Sequence, residues 1–128
     1  MDSYYDIPVI IPSYEPDDKL ITLLEALKQA GISHVVVVDD GSGAQYETLF
    51  ERAEEMDNCT VLHHAVNLGK GRALKTAFNH CLWVYGEAPG CVSADSDGQH
   101  TPADILACMR KLWENPQALI LGCRDFDA

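Results

Sequence analysis

VVVVDDGS, at residues 35–42, places four β-branched apolar residues directly before two acids and a Gly-Ser pair. Consecutive valines favour a strand, and because alternate residues of a strand point to opposite faces, both faces of this strand are expected to be buried. Strands buried on both faces are typical of the interior of parallel sheets. Asp39 and Asp40 are therefore predicted to stand at the carboxyl end of a central strand.

The rest of the chain alternates short apolar runs with amphipathic segments. Further strands are predicted at 7–11, 60–64, 90–94 and 118–121. Helices are predicted from Asp17 or Asp18 to Gly31, from Ser42 to Met56, from Gly71 to Val84 and from Thr101 to Asn115. Residues 42–45 resemble a capping box that opens the second helix. The alternation predicts one α/β domain over residues 1–128, a doubly wound, mainly parallel sheet with helices on both faces.

The composition is that of a globular domain, with 47% hydrophobic residues among 128. No apolar run approaches the ~20 residues of a membrane span, and the N-terminus lacks the basic start of a signal peptide. The five cysteines are odd in number and lack Cys-x-x-Cys spacing, which predicts reduced thiols in a cytoplasmic protein. A formal charge of -11, from 20 acids against 9 bases, argues against general nucleic-acid binding.

Basic residues are concentrated after residues 67–69, at Lys70, Arg72 and Lys75. In an acidic chain, such a cluster indicates a phosphorylated small ligand. A solvated helix face is the alternative, and it is the commoner setting for Lys and Arg. We expect Lys75, which lies farther along the helix, to be a surface residue.

A second acidic motif, DSDGQH at residues 95–100, follows the apolar run 90–94. If the extended conformation persists, Asp95, Asp97 and Gln99 project to the same side and present three oxygen donors. Mg²⁺ or Mn²⁺ takes one or two carboxylates and leaves its other positions to water and substrate phosphates. The alternative is a polar loop between a strand and a helix.

The polar motifs all follow strands of the predicted sheet. They are PSYE at 12–15, DDGS at 39–42, NLGK at 67–70 and DSD at 95–97. Because ligands of doubly wound sheets bind outside the carboxyl ends of the strands, we expect these loops to form one site.

These residues resemble the family 2 inverting glycosyltransferases of the GT-A fold, especially the dolichyl-phosphate mannosyltransferase-like and polyprenyl-phosphate enzymes. The resemblance runs through IIPSYE at 10–15, VDDGS at 38–42, NLGKGRAL at 67–74, DSDGQHTP at 95–102 and GCRDF at 122–126. It implies inverting transfer of a sugar from a nucleotide diphosphate donor, UDP- or GDP-linked, with Mg²⁺ or Mn²⁺ as cofactor. A lipid phosphate is the implied acceptor, and the full-length protein would act at the inner face of the membrane.

The resemblance also implies roles for individual residues. Pro12, Tyr14 and Glu15 would line the base and ribose pocket, and Asp40, with Asp39 beside it, would contact the base or ribose. Lys70 and Arg72 would approach the ribose or diphosphate. Asp95, Asp97 and Gln99 match the metal-binding positions, and Asp95 and Ser96 also belong to the donor site. His100 is expected to steady the loop, and Arg124 matches a position near the donor phosphates or acceptor.

The family's acceptor-binding part has no counterpart in residues 1–128, so the sequence corresponds to the donor-binding part. No catalytic base is identifiable, since Asp125 and Asp127 carry no supporting motif. We therefore also keep an inactive nucleotide-binding fragment and a metal-dependent nucleotidyltransferase as alternatives, although the latter should carry a Gly-rich loop after the first strand. An uncovered apolar surface at the missing half would favour self-association.

Overall fold

The computed structural model describes residues 3–96 and 100–115, which form a four-stranded parallel sheet with helices on both faces. The strands are β1 (Val9–Ser13), β2 (Val35–Asp40), β3 (Cys59–His64) and β4 (Val92–Ser93). The helices are α1 (Asp18–Gln29), α2 (Glu47–Glu54), α3 (Lys70–Val84) and α4 (Pro102–Glu114). Short 3₁₀ turns cover Tyr4–Asp6 and Ala44–Tyr46. This architecture confirms the predicted α/β fold class.

The valines of β2 divide the core into two layers. Val35 and Val37 belong to a larger apolar cluster that includes residues of α1, α2 and α4. Val36 and Val38 point the other way, into a smaller cluster built with α3. All four valines are 1% exposed or less, as expected for a central strand of a parallel sheet.

The order of the strands is β3-β2-β1-β4, and every neighbouring pair is parallel. The chain moves outward from β1 through β2 to β3, and α3 then returns it past β1 to β4. With right-handed crossovers, this reversal places α1 and α2 on one face and α3 on the other. The direction changes between β1 and β4, and the crevice at such a switch point is where open α/β sheets bind ligands.

The ends of the helices mostly follow the local sequence signals. Asp17 caps α1, and its side chain accepts a hydrogen bond from the Lys19 amide. Thr101 and Asp104 form a capping box at the start of α4, with Pro102 as its first residue. After α1 the chain turns at Gly31, whose φ is +90°. These predicted boundaries are confirmed.

The predicted capping box at Ser42 is wrong. The chain instead forms the turn Ala44–Tyr46 behind Gly43, without a side-chain cap, and α2 begins only at Glu47. Ser42 is buried, and its hydroxyl accepts a hydrogen bond from the Glu15 amide at 2.8 Å. Its oxygen thus joins two loops instead of starting a helix.

All four described strands differ from their predicted bounds. β1 covers residues 9–13 instead of 7–11, β3 begins at Cys59 instead of Thr60, and β4 is reduced to two residues. β2 continues through Asp39 and Asp40, because both pair in register with β3. The predicted strand at 118–121 lies outside the described residues.

Two further expectations concern cysteines and membrane spans. Among the described cysteines, Cys59, Cys81, Cys91 and Cys108 are not joined by disulfide bonds. Within the part of the chain that the structure describes, none of the helices has the length and hydropathy to cross a bilayer.

Candidate functional site

An open cleft of about 520 Å³ lies at the carboxyl edge of the sheet, at the switch point between β1 and β4. The carboxyl ends of β1 and β2 and the segments that follow β1, β3 and β4 contribute to its wall. The lining residues are Pro12, Ser13, Tyr14, Asp40, Asn67, Gly69, Lys70, Asp95 and Ser96. The predicted convergence of the polar loops is therefore confirmed for the described residues.

Asp40, at the end of β2, fixes the loop that follows β3. Its Oδ1 accepts hydrogen bonds from the Leu68 amide at 2.9 Å and from His64 Nδ1 at 2.8 Å. Its Oδ2 accepts from the Gly69 amide at 3.0 Å and from Asn67 Nδ2 at 3.3 Å. A carboxylate has about four acceptor positions. The internal contacts of Asp40 therefore use its full capacity.

The surroundings of Asp40 also determine its charge. The residue is only 3% exposed, and this burial by itself would raise the pKa of the carboxyl group. Hydrogen bonds from the Leu68 amide, His64 and the Gly69 amide outweigh burial and lower the pKa below its ordinary value. Asp40 is therefore a carboxylate at neutral pH.

Asp39 faces the opposite side of the sheet. Its Oδ2 lies 2.8 Å from His63 Nδ1, and its Oδ1 accepts a hydrogen bond from the Ser42 amide at 2.9 Å. The His63 ring packs edge-on against Phe50 of α2, with the ring centroids 6.0 Å apart. Asp39 is not part of the cleft wall, and its contacts are those of a residue that shapes the turn after β2.

Close contact between two backbones holds the turn after β2 against the loop after β3. Gly41 has a φ of +72°, and a Cβ atom at this position would lie 2.2 Å from the Val66 carbonyl carbon and 2.3 Å from the Asn67 nitrogen. Only glycine allows the turn after β2 to approach the loop after β3 so closely.

The segment after β1 provides the other wall. Pro12, Ser13 and Tyr14 line the cleft, and Tyr14 is 51% exposed. Glu15 is exposed and has a φ of 49°, a rare conformation for a residue with a side chain. The Glu15 amide donates a hydrogen bond to the Ser42 hydroxyl, so the backbone of Glu15 helps to fix the loop. The Glu15 side chain does not line the cleft.

Lys70 and Asp95 face each other across the cleft. Lys70 is the first residue of α3, and its Nζ lies 3.0 Å from Asp95 Oδ1. A helix N-terminus carries unpaired amides and a partial positive charge, so this end of α3 and the Lys70 ammonium together favour an anion. Arg72 is exposed and does not line the cleft.

Part of the predicted metal site lies outside the described residues, namely Asp97 and Gln99. Asp95 lines the cleft, and its amide donates to His100 Nδ1 at 3.4 Å, a contact that supports the predicted structural role of His100. Among residues 3–96 and 100–115, no three His, Cys, Asp or Glu side chains form a group that could hold a metal ion. Arg124 also lies outside these ranges.

The structure thus brings together six of the residues predicted for the donor site. They are Pro12, Tyr14, Asp40, Lys70, Asp95 and Ser96. Ser13, Asn67 and Gly69 also line the cleft; they lie in the motifs expected to converge, but the sequence indicated no individual role for them, and it did not indicate His64 behind the lining. His64 could have been found from the sequence, because two acids end β2 and two histidines end the next strand, β3.

Comparison with known proteins identifies the family. The model of glycosyl transferase family 2 matches residues 9–127. A UDP-N-acetylglucosamine–dolichyl-phosphate N-acetylglucosaminyltransferase of Methanococcus voltae is 24% identical over 131 residues, which cover 92% of this chain and 51% of the relative. A dolichyl-phosphate β-glucosyltransferase of Trichomonas vaginalis is 26% identical, with 92% of this chain and 40% of the relative covered.

Two further comparisons agree. An uncharacterized protein of Methanocaldococcus jannaschii is 28% identical, covering 95% of this chain and 48% of its own length. The crystal structure of S. aureus TarS residues 1–349 superposes with a TM-score of 0.53 and 27% identity, covering 72% of this chain and 27% of TarS. The chain spans about half the length of the curated relatives it matches. The chain belongs to glycosyl transferase family 2, a family of sugar-transferring enzymes.

Proposed function

We propose that the cleft binds a nucleotide diphosphate sugar and that the chain is the donor-binding part of an inverting glycosyltransferase. The observation that carries the proposal is the pair formed by Lys70, at the start of α3, and Asp95, 3.0 Å away at the switch point of the sheet. Such a position is a general ligand site of open α/β sheets. The cleft volume of about 520 Å³ lies in the range of small-molecule sites.

The diphosphate is proposed to lie at the N-terminus of α3. There the Lys70 ammonium and the amides at the helix start offer hydrogen bonds and positive charge in a chain whose net charge is -11. An incoming phosphate competes with Asp95 for Lys70. Lys70 therefore exchanges an internal partner for the ligand, and Asp95 is released.

Asp95 is proposed to take a divalent cation, Mg²⁺ or Mn²⁺, with Asp97 and Gln99. A carboxylate at the cleft mouth fits this group, because hard cations prefer oxygen ligands and leave positions for phosphate. A bound cation would neutralise charge on the departing nucleotide diphosphate.

The base and ribose are proposed to lie between the β1 segment and Asp40. Tyr14 offers a half-exposed ring to one face of the base. Direct contact of a ribose hydroxyl or base N–H with Asp40 requires displacement of a present donor, because the four acceptor positions are in use. The Asn67 amide, at 3.3 Å, makes the longest of these contacts and is the one to displace.

A lipid phosphate is the proposed acceptor, since two relatives act on dolichyl phosphate by their names. A phosphate is already an anion, so its attack on the sugar carbon needs little help from a general base. This agrees with a donor site in which no base could be assigned from sequence.

Calorimetric titration with UDP and GDP, with and without Mn²⁺, tests the donor site. We expect one of the two nucleotides to bind, and we expect Lys70→Met to lower its affinity about 10-fold, equivalent to ~1.4 kcal/mol. Lys75→Met is the matched control, because Lys75 is an exposed residue of the same helix outside the cleft.

Equal affinities of the two variants, or no binding of either nucleotide, would contradict the proposed site. Adding a UDP- or GDP-sugar with a polyprenyl phosphate then separates enzyme from binding module, because only the enzyme forms a glycosylated lipid.

A further inference from the structure

His64 joins the floor of the cleft to α3. Its Nδ1 lies 2.8 Å from Asp40 Oδ1, and its Nε2 lies 2.8 Å from the Thr76 hydroxyl. The side chain is 8% exposed, so water does not replace these contacts. The three residues form a continuous path from β2 through β3 to the helix that begins with Lys70.

We propose that His64 is a positioning residue for the diphosphate end of the donor site, acting through Asp40 and Thr76. This inference rests on the proposed function, because it specifies how that site is kept in register. His64 does not line the cleft and is not proposed to touch substrate.

The chemistry of the two contacts favours an imidazole. The Asp40 carboxylate only accepts hydrogen bonds, so we assign the proton to Nδ1. In the neutral ring Nε2 is then an acceptor, and the Thr76 hydroxyl donates to it. Asn or Gln can reach one of the two partners, but neither side chain spans both from a single backbone position.

The path acts on two parts of the site at once. Through Asp40 it reaches the amides of Leu68 and Gly69, which determine the loop leading into α3. Through Thr76 it reaches α3 six residues after Lys70, or about 9 Å along the helix axis. Loss of the imidazole should therefore allow the loop and the start of α3 to move relative to the sheet. The diphosphate is proposed to bind at this start of α3.

His63 supplies a natural comparison. It is the neighbouring residue of β3 and makes a similar 2.8 Å contact with an aspartate of β2, Asp39. Its side chain is 52% exposed and lies on the other face of the sheet. A change at His63 therefore removes an Asp–His pair without touching the cleft.

The first test measures the protein without nucleotide. Amide hydrogen exchange is followed by NMR in the parent and in His64→Gln, Thr76→Val, Thr76→Ser and His63→Gln. We expect exchange of the Leu68 and Gly69 amides to rise about 10-fold in His64→Gln and Thr76→Val. Thr76→Ser, which keeps the hydroxyl, and His63→Gln should match the parent.

The second test measures affinity for UDP and GDP and for UMP and GMP by calorimetry in the same variants. Thr76→Val should lower the affinity for whichever diphosphate the parent binds by about 10-fold. It should lower the affinity for the matching monophosphate less than about 3-fold. A general loss of folded protein would instead weaken both equally. Thr76→Val leaves the contact between His64 and Asp40 in place, so it carries the test if His64→Gln does not fold.

Unchanged exchange in Thr76→Val, or equal effects of His63→Gln and His64→Gln, would overturn the positioning role. Equal losses of diphosphate and monophosphate affinity would also overturn it. If the parent binds none of the four nucleotides, the proposed function fails, and the exchange rates still decide whether His64 positions the loop.

Discussion

Replacing Asp40 by Asn removes the charge that fixes the loop after β3. The carboxylate accepts four hydrogen bonds, two at each oxygen. The amide of Asn keeps one oxygen and turns the other position into a donor, so two of the four partners lose their acceptor. Each hydrogen bond to a charged group contributes about 1.5–3 kcal/mol. Because the exposed loop lets water replace part of the loss, we expect the free energy of unfolding to fall by about 3 kcal/mol.

The effect should depend on pH. The pKa of Asp40 is lowered in the folded protein, so its stabilisation is present above the ordinary carboxyl pKa of about 4. It is lost as the pH falls through the folded value. Urea unfolding followed by far-UV circular dichroism should show the full difference between parent and Asp40→Asn at pH 7, and a smaller one at pH 3.

Asp57→Asn is the control for this experiment. Asp57 also has a lowered pKa, but the cause is an exposed ion pair with Lys28 at 3.0 Å. Exposed pairs contribute little to stability, so this variant should unfold like the parent. The reasoning about Asp40 would be refuted if Asp40→Asn were as stable as Asp57→Asn at pH 7, or if its deficit were the same at pH 3.

Three further predictions concern the turn at Gly41, the cap of α4 and the metal. In chemical denaturation, Gly41→Ala should lower the free energy of unfolding by about 3 kcal/mol or more, because its Cβ would clash with the Val66 backbone. Gly43→Ala should lower it by only about 1 kcal/mol, because Gly43 has a φ of +98° but open space around it. Thr101→Ala should lose about 1 kcal/mol in the same assay, since it removes the cap of α4; an unchanged midpoint would contradict the cap. Asp97→Ala and EDTA should each weaken UDP or GDP binding at least ~10-fold in calorimetry, and equal affinities would contradict the metal site.

The sheet was predictable because its strands carry strong local patterns. Burial of the valines at 35–38 on both faces is typical of a central strand in a parallel sheet, and the structure confirms that position. The capping signals at Asp17 and Thr101 were also reliable, since a cap depends on residues a few positions apart.

The errors arose where distant residues decide the local structure. Ser42 has the sequence pattern of a cap, but its hydroxyl bonds the Glu15 amide from another loop. Asp39 and Asp40 look alike in the sequence, yet strand alternation sends them to opposite faces, and only Asp40 lines the cleft. The partners that distinguish them, His63 and His64, come from a strand about 24 residues later.

NMR mapping of bound UDP and GDP tests the central claim most directly. In ¹⁵N-labelled protein with Mn²⁺ replaced by diamagnetic Mg²⁺, addition of the nucleotide should shift the amides of Ser13, Gly69, Lys70 and Ser96, which line the cleft. The chemical shifts of the amides of α2, on the far face of the sheet, should not change. Shifts centred on α2, or no shifts with either nucleotide at millimolar concentration, would contradict a donor site at the carboxyl edge of the sheet.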